Sequence, residues 1–465
     1  MKQFAFLTLM TVLAVCGGVF APIWAVAWYY FLALLRPQYV WDWALPMEVR
    51  WSLIAGLAAL TAVLLNLGRY LDQVRLNGMM GLTVVFGILV LLSGVSAYNP
   101  AVAMPWVIEY GKILLMAMVA CLAIERLGHL RVMALMILVS TGYVAWSVNR
   151  DYLFSPFGLR VFKHGYGGLD NNGAGLLLAL GVPFAYAAMI QPGHRLWHLA
   201  IRVLAPITGL LMIHGVLLTY SRGAMVAMAA GLAWLALRHT PRKQSLWIAG
   251  VLSVAVLGMA GQEIRQEFLS TADYHDDQSA QSRFASWAAG WEMALDHPLL
   301  GTGVRNSNLY SLGYGADRFG RTIHNQYLQT AADIGIPAAL VYLGIMFAVM
   351  RGLLRLKARG QAALGDPALT RRDAAEVRHA LRIGTALEAA IVTFATGGVF
   401  LSLEVFEFAW LLFAMGGVLP NLLDKRLEAA GHTAEDPATD DEPATPEPQP
   451  SPAGWPPGLS PGILP

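Results

Sequence analysis

Arg222 lies in Thr219-Tyr220-Ser221-Arg222-Gly223-Ala224, a polar corner between two apolar runs with almost no connecting loop. A guanidinium stays charged there and presents a planar fork suited to phosphate. Gly223 beside it lets a bulky ligand approach the backbone. The competing reading is an arginine at a helix end, with its stem in apolar surroundings and its head reaching water. Arg283 follows in Ser282-Arg283-Phe284-Ala285-Ser286-Trp287, with Arg305, Arg318 and Arg321 downstream. Several arginines close to a membrane surface can neutralise a diphosphate through charge-assisted, bidentate hydrogen bonds. The same stretch holds Asp273, Asp276, Asp277, Glu292 and Asp296, so ion pairs on a solvated loop face are the alternative.

His324 opens His324-Asn325-Gln326-Tyr327-Leu328, shortly before an apolar run resumes. A histidine can take a proton from an acceptor hydroxyl near neutral pH. A lone histidine is more often structural, and the nearness of the arginines is what singles this one out. His297, in Asp296-His297-Pro298, reads as turn chemistry, because a proline holds its predecessor extended. His164 and His275 have no obvious partners in the sequence.

Glu388, Glu404 and Glu407 fall in or beside the last two apolar runs, where carboxylates are functional suspects. Glu404 and Glu407 border a short turn, so solvated helix ends are the alternative. Asp170-Asn171-Asn172-Gly173 reads as a helix start, with Asp or Asn as the cap; binding of sugar hydroxyls is the other option. There is no Walker loop, no GxGxxG at a strand–helix junction, no HExxH and no Cys/His zinc spacing. No Asp-x-Asp occurs that could hold the metal of a nucleotide-sugar transferase. Neither a cofactor nor a metal is expected, and an ATP-driven machine is disfavoured.

These residues need a frame, and composition supplies it. The chain has 465 residues, of which 56% are hydrophobic and 13% charged, with a mean hydropathy of +0.52. Soluble globular chains carry about 25% charged residues; a deficit this large points to lipid-facing helices. The net charge of +2 gives no hint of nucleic-acid binding. Cys16 and Cys121 both sit in apolar runs, so neither a disulfide nor a metal site is expected. Leu13-Ala14-Val15-Cys16 resembles a lipoprotein cleavage box, but Val15 is branched and another apolar run follows at once. A retained first helix is the preferred reading.

A membrane helix needs about 20 mostly apolar residues. Candidate spans are Phe4–Val19, Pro22–Leu35, Trp51–Leu67, Met79–Val95, Val102–Ile124, Leu130–Val148, Gly173–Ile190, Leu199–Thr219, Ala224–Leu237, Leu246–Gly261, Ile334–Met350, Ile383–Leu401 and Val405–Leu422. The first two can be a single helix broken at Ala21-Pro22, which gives twelve or thirteen spans. The expected fold is therefore all-α: a polytopic integral membrane protein with one large external loop. Basic residues orient it. Arg69 with Arg75, Arg126 with Arg131, Arg195 with Arg202, Arg238 with Arg242 and Lys243, the stretch from Arg351 to Arg382, and Lys425 with Arg426 mark the cytoplasmic side. The Ser282–Leu328 loop, residues 149–172 and the Arg222 corner then face outward, toward a periplasm-like space. An arginine kept at a helix end only by its stem usually marks the cytoplasmic side, which favours a ligand role for Arg222.

Three segments are expected: N-terminal membrane helices over 1–164, a membrane domain over 165–427 including a periplasmic loop at 262–333, and a disordered tail over 428–465. The tail is rich in Pro, Ala, Asp, Glu and Thr and lacks apolar periodicity. No convincing internal repeat occurs, which weakens a transporter reading.

Read in order, Ser221-Arg222-Gly223, Arg283 with Trp287, His297-Pro298-Leu299-Leu300-Gly301-Thr302-Gly303, and His324-Asn325-Gln326-Tyr327-Leu328 leading to Gly335 resemble the O-antigen ligase and polymerase superfamily. The resemblance covers roughly residues 165–420. Leu35-Arg36-Pro37-Gln38-Tyr39-Val40-Trp41 and the general layout resemble the subgroup of O-glycosylation ligases associated with exosortase systems. The resemblance implies a multi-pass protein of the bacterial inner membrane whose site faces the periplasm. The donor would be a glycan on a polyprenyl diphosphate, and the acceptor a hydroxyl on a protein Ser/Thr or on the lipid A core. Arg222 and Arg283 would bind the diphosphate and stabilise charge on the leaving group. His324 would orient or deprotonate the acceptor hydroxyl, or help position the diphosphate. Arg305, Arg321 and Tyr327 complete the candidate substrate-binding set. Trp287, Trp291, Tyr310 and Tyr314 are candidates to stack on sugars, against packing of the loop on the membrane. The alternatives are a polymerase that elongates the lipid-linked glycan and, from another class, a transporter.

Overall fold

In the computed structural model, the described residues are 2–46, 49–68, 70, 77–155, 161–191, 196–238, 278–403 and 405–431. They form an all-helical bundle, and no strand occurs among them. Helix α1 (Lys2–Phe20) turns at Ala21-Pro22 into α2 (Ile23–Leu35). Gly17 and Gly18 face Trp24 and Ala25 across that turn, so the pair is a hairpin of two helices rather than one broken helix. A short turn α3 (Pro37–Val40) leads to α4 (Trp51–Leu65), α5 (Gly78–Val95), α6 (Pro100–Ala123) and α7 (Leu127–Phe154). After α8 (Val161–His164) come α9 (Asn171–Met189), α10 (Leu196–Leu218) and α11 (Arg222–Arg238). The external loop contains α12 (Gln278–Asp296), α13 (Ser307–Tyr310), a 3₁₀ turn over Ser311–Tyr314, and α14 (Gln326–Ile334). The chain ends in α15 (Ile336–Leu364), α16 (Arg371–Phe400) and α17 (Glu407–Ala429).

Twelve of the thirteen expected spans thus appear as helices. The expected span at 246–261, Glu404 and the segment from 432 onward lie outside the described residues. So do Arg69, Arg75, Arg195, Arg242, Lys243, Asp273, His275, Asp276 and Asp277. Helix α17 runs on through Ala429, so Glu428 belongs to a helix rather than to the tail. Among the described residues, eight helices are long and apolar enough to cross a bilayer, which makes this a multi-pass membrane protein.

Several helices carry internal prolines: Pro105, Pro183, Pro206 and Pro420. Neighbouring helices can re-satisfy the backbone groups that such a proline frees in a membrane bundle. Helices in lipid associate by close packing over small residues. Here α9, α11 and α16 meet that way. A Cβ on Gly231 would lie 2.0 Å from Thr393 Oγ1, and one on Gly397 would lie 2.7 Å from Leu176. These three helices carry Asp170, Arg222 and Phe400 at neighbouring ends, so their packing brings the candidate site together.

The two faces of the bundle differ in chemistry. One holds the loop, the Arg222 corner and the turn before α9. The opposite face carries a lattice of ion pairs: Arg131 with Glu376 at 3.3 Å, Arg359 with Asp424 at 2.7 Å, and Arg426 with Asp373 at 2.5 Å.

Candidate active site

The Arg222 corner is built by a tight reversal. Tyr220 takes a left-handed φ of 52°. Ser221 then caps α11, its hydroxyl accepting from Ala224 N at 3.3 Å. Arg222 is the first helical residue and is half-buried. The corner is fastened to the start of α9. Asn171 Nδ2 donates to Thr219 O at 3.0 Å, and Ser221 Oγ donates to Asn172 Oδ1 at 2.7 Å. Asn172 in turn donates to Asp170 Oδ2 at 3.2 Å. Asp170 Oδ1 accepts from Gly173 N at 2.7 Å, the helix cap its sequence context predicts.

His324 occupies the other side. Its backbone is left-handed, with φ of 57°. Non-glycine residues rarely adopt that region, and such strain gathers at functional sites. Among the described residues only Arg36, Tyr220, Arg305 and His324 are non-glycine with positive φ. All four lie on the loop face. The strain at His324 is held by its neighbours. Ile323 O accepts from Ser286 Oγ at 3.1 Å, and Ile323 N donates to Gln329 Oε1 at 3.1 Å. Trp287 Nε1 makes a long contact, 3.4 Å, to His324 O. Asn325 caps α14 through Tyr327 N and Leu328 N. Both flanks of the histidine are therefore fixed, which leaves its ring as the variable part.

Electrostatics show what surrounds that ring. Burial, then the positive charges of Arg283 and Arg321, lower the His324 pKa to about 4; Arg318 adds to the depression, and Asp170 opposes it. Three loop arginines and the α9 cap thus lie within electrostatic reach of one imidazole, which is neutral near pH 7. Arg321 also pairs with Asp317 at 3.4 Å. Asp317 accepts from Ser282 Oγ at 2.6 Å, and this bond, followed by the charge of Arg321, holds its carboxyl below the usual range.

Two chains of contact join the Arg222 corner to His324. One is polar: Ser221 to Asn172 to Asp170, whose charge acts on the imidazole. The other is apolar. A Cβ on Gly223 would lie 2.8 Å from Phe400 Cβ. Phe400 packs against Trp287 with ring centroids 6.4 Å apart, and Trp287 reaches His324 O. Gly223 is therefore required for close packing of α11 on α16, and Phe400 rather than a ligand fills the space beside its backbone.

The remaining candidates separate. Arg305 stacks its guanidinium on Trp106 of α6, 4.3 Å from the ring centroid; neither it nor Arg222 is among the charges that act on His324. Tyr327 donates its hydroxyl to Ala395 O at 2.7 Å, and burial raises its pKa to about 12. Its hydroxyl ties α14 to α16. His297 contacts Tyr98 Oη at 2.9 Å and stands edge-on to its ring. Tyr310 packs on the same Tyr98, while Tyr314 lies against the small loop core with Trp287. Trp291 is exposed. Glu388 is an ion pair rather than a free carboxylate: it accepts from Arg238 at 2.8 and 3.1 Å and from Trp234 Nε1 at 3.0 Å. Glu407 faces Arg36 at 3.8 Å.

The run from His297 to Gly303 acts as a strap. Ile336 N donates to Pro298 O, Thr302 N to Ala332 O, and Gly303 N to Asp333 O, at 2.8 to 2.9 Å. Gly301 sits against Asp333, where an added Cβ would lie 2.4 Å from its carbonyl carbon. Beneath the strap lies a polar hub. Gln329 Nε2 donates to Ser307 Oγ and to Asp333 Oδ2, and Ser402 Oγ donates to Gln329 Oε1. Gln326 Oε1 accepts from Leu403 N. Gln326, Gln329 and Asp333 fall three and four residues apart, on one face of α14, a spacing visible in the sequence. Arg36 was also missed as a supporting residue. It donates to Gly167 O at 3.1 Å and so braces the turn that ends at Asp170. Among the described residues, no group of three or more His, Cys, Asp or Glu comes together to hold a metal.

Residues 207–343 match the family model described as O-Antigen ligase. That match supports a place in the O-antigen ligase superfamily, and with it a glycan ligase or polymerase type of activity. It spans the Arg222 corner, α12, the strap and His324, the same parts that the contacts bring together. No curated protein matches the chain.

Proposed function

We propose that the protein is a ligase that transfers a glycan from a polyprenyl diphosphate to an acceptor hydroxyl, with a protein Ser/Thr as the preferred acceptor and the lipid A core as the other. The observation that carries this is a buried, neutral histidine within electrostatic reach of Arg283, Arg318 and Arg321, in a loop that packs against the Arg222 corner through Trp287 and Phe400. A lipid diphosphate requires this combination: cations for its phosphates, apolar helices for its chain, and a base for the incoming hydroxyl.

The step is a direct displacement. The acceptor oxygen attacks the anomeric carbon, the bond from that carbon to the diphosphate oxygen breaks, and configuration inverts. The hydroxyl proton passes to His324. The electron pair of the broken bond leaves on the diphosphate, where Arg222 and Arg283 stabilise it. The transfer proposed is metal-independent, because guanidinium groups already supply the positive charge the leaving group needs. Arg321 joins the diphosphate site, and Arg305, stacked on Trp106, stands outside it in this reading. The basic face opposite the loop supports an inner-membrane orientation with the site toward the periplasm. Leu35-Arg36-Pro37-Gln38-Tyr39-Val40-Trp41 and the general layout are the ground for proposing the exosortase-associated subgroup.

The test is a comparison of glycan pools in membranes lacking and then regaining the protein. Long lipid-linked glycan with bare acceptor, reversed by the wild type, is the expected result and names the acceptor. Accumulated single repeats would make the protein a polymerase. Unchanged pools would remove the transfer reading.

A further inference from the structure

The face opposite the loop carries a cleft of about 560 Å³ that the transfer chemistry leaves unused. Its walls come from the α1–α2 turn, the start of α7, the start of α16 and the end of α17. Arg126, Arg372, Lys425 and Arg426 line it, against two carboxylates, Glu125 and Glu376. Glu376 is already paired with Arg131 at 3.3 Å. Arg426 is held by Asp373 and is thereby fixed in place. Arg126 donates to His129 Nε2 at 2.8 Å and is otherwise exposed, as is Arg372. The cleft therefore presents an excess of positive charge with both fixed and adaptable donors.

Its surroundings belong to the bilayer. Trp24 lines the rim and is half exposed, and Phe20 and Val19 beside it are open to the outside. Tryptophan favours the membrane–water boundary. A second, narrower pocket adjoins the cleft and shares Glu125, Leu422 and Lys425 with it. Its other walls are mainly apolar, including Met80, Leu122, Ile124 and Val418. Charge at the mouth and hydrocarbon alongside suit an amphiphile better than a free ion.

We propose that this cleft binds the phosphodiester headgroup of an anionic phospholipid, held by Arg126, Arg372 and Lys425, with its acyl chains against Trp24 and the apolar slot. Basic pockets between helix ends are suited to such headgroups. The site is separate from His324 and stands whether or not the transfer reading holds.

The test uses the full-length protein in detergent and native mass spectrometry, with phosphatidylglycerol and phosphatidylcholine as paired probes. The wild type should keep phosphatidylglycerol preferentially. One basic residue near a headgroup is worth about fivefold in binding, so Arg372→Gln with Lys425→Gln should weaken retention about thirtyfold. Arg378→Gln, on the same helix but outside the cleft, should leave it unchanged. Arg372→Gln alone, at an exposed position, keeps the test open if the double variant unfolds; it should cost about fivefold. Equal retention of the two lipids, or undiminished phosphatidylglycerol binding in a folded variant, would overturn the proposal. Displacement of the lipid by millimolar inorganic phosphate would make the cleft a free-anion site and overturn the lipid assignment.

Discussion

Occupation of the site by a diphosphate should change the protonation of His324. Without ligand its pKa is about 4, lowered first by burial and then by Arg283 and Arg321. A diphosphate bound to those arginines cancels their repulsion. Removal of like charge favours the protonated imidazole, so the pKa rises. One cancelled charge at about 7 Å in a medium of effective dielectric about 20 contributes roughly 2.4 kcal/mol, close to 1.7 pK units. The expected move is therefore from about 4 to about 6. Donor binding would turn a poor base into one matched to neutral pH. The assay is nuclear magnetic resonance of the protein in detergent with ¹³C-labelled histidine. His324→Gln identifies the resonance, and farnesyl diphosphate serves as the probe. Linkage gives an independent readout. Between pH 6.5 and 4 the unfolded chain binds a proton that folded His324 does not. Stability in the absence of ligand should therefore fall as pH drops through that window, and less so in His324→Gln. A resonance that titrates near 6.5 without ligand, or that ignores the diphosphate, would refute the reasoning.

Other expectations concern the frame. Gly223→Ala would place a Cβ 2.8 Å from Phe400; overpacking of this kind costs about 1–3 kcal/mol, and thermal unfolding in detergent should show the loss. Glu388→Ala leaves Arg238 without its buried partner, a change of about 3 kcal/mol or more, so the variant should unfold at lower temperature although it lies far from His324. Tyr327→Phe removes the bond to Ala395 O. It should cost about 0.5–1.5 kcal/mol for the lost hydrogen bond and lower kcat by loosening α14, with little effect on donor KM. An equal effect on KM would show that the hydroxyl meets substrate.

The membrane helices were legible in the sequence because long apolar runs admit one reading. The Ala21-Pro22 turn was not, since a proline breaks a helix and starts a hairpin with the same local signal; the small faces of Gly17 and Gly18 decide it through tertiary packing. Asp170 was legible as a cap. Its influence on His324 was not, because the two lie far apart in sequence. Arg305 and Tyr327 stood behind Arg283 as substrate-binding candidates, with nothing in the sequence to exclude them. What distinguishes them is the partner each finds: Trp106 and Ala395 O in one case, the His324 cluster in the other. The need for glycine in the strap was not legible either, since the backbone of Asp333 that leaves no room for a side chain at Gly301 is distant in sequence.

The central claim is that Arg222 and His324 serve one transfer reaction. The most direct measurement is release of polyprenyl diphosphate from a lipid-linked glycan by the purified protein in proteoliposomes. It would be run with acceptor, for the wild type, Arg222→Ala, Arg222→Lys and His324→Ala. The wild type should release the lipid diphosphate in step with glycan transfer. Arg222→Ala should abolish release at wild-type expression and insertion. Arg222→Lys should restore little of it, because charge without the planar fork is a poor substitute. His324→Ala should lose turnover severely while retaining part of its donor binding. Full release by a correctly inserted Arg222→Ala protein would contradict the account.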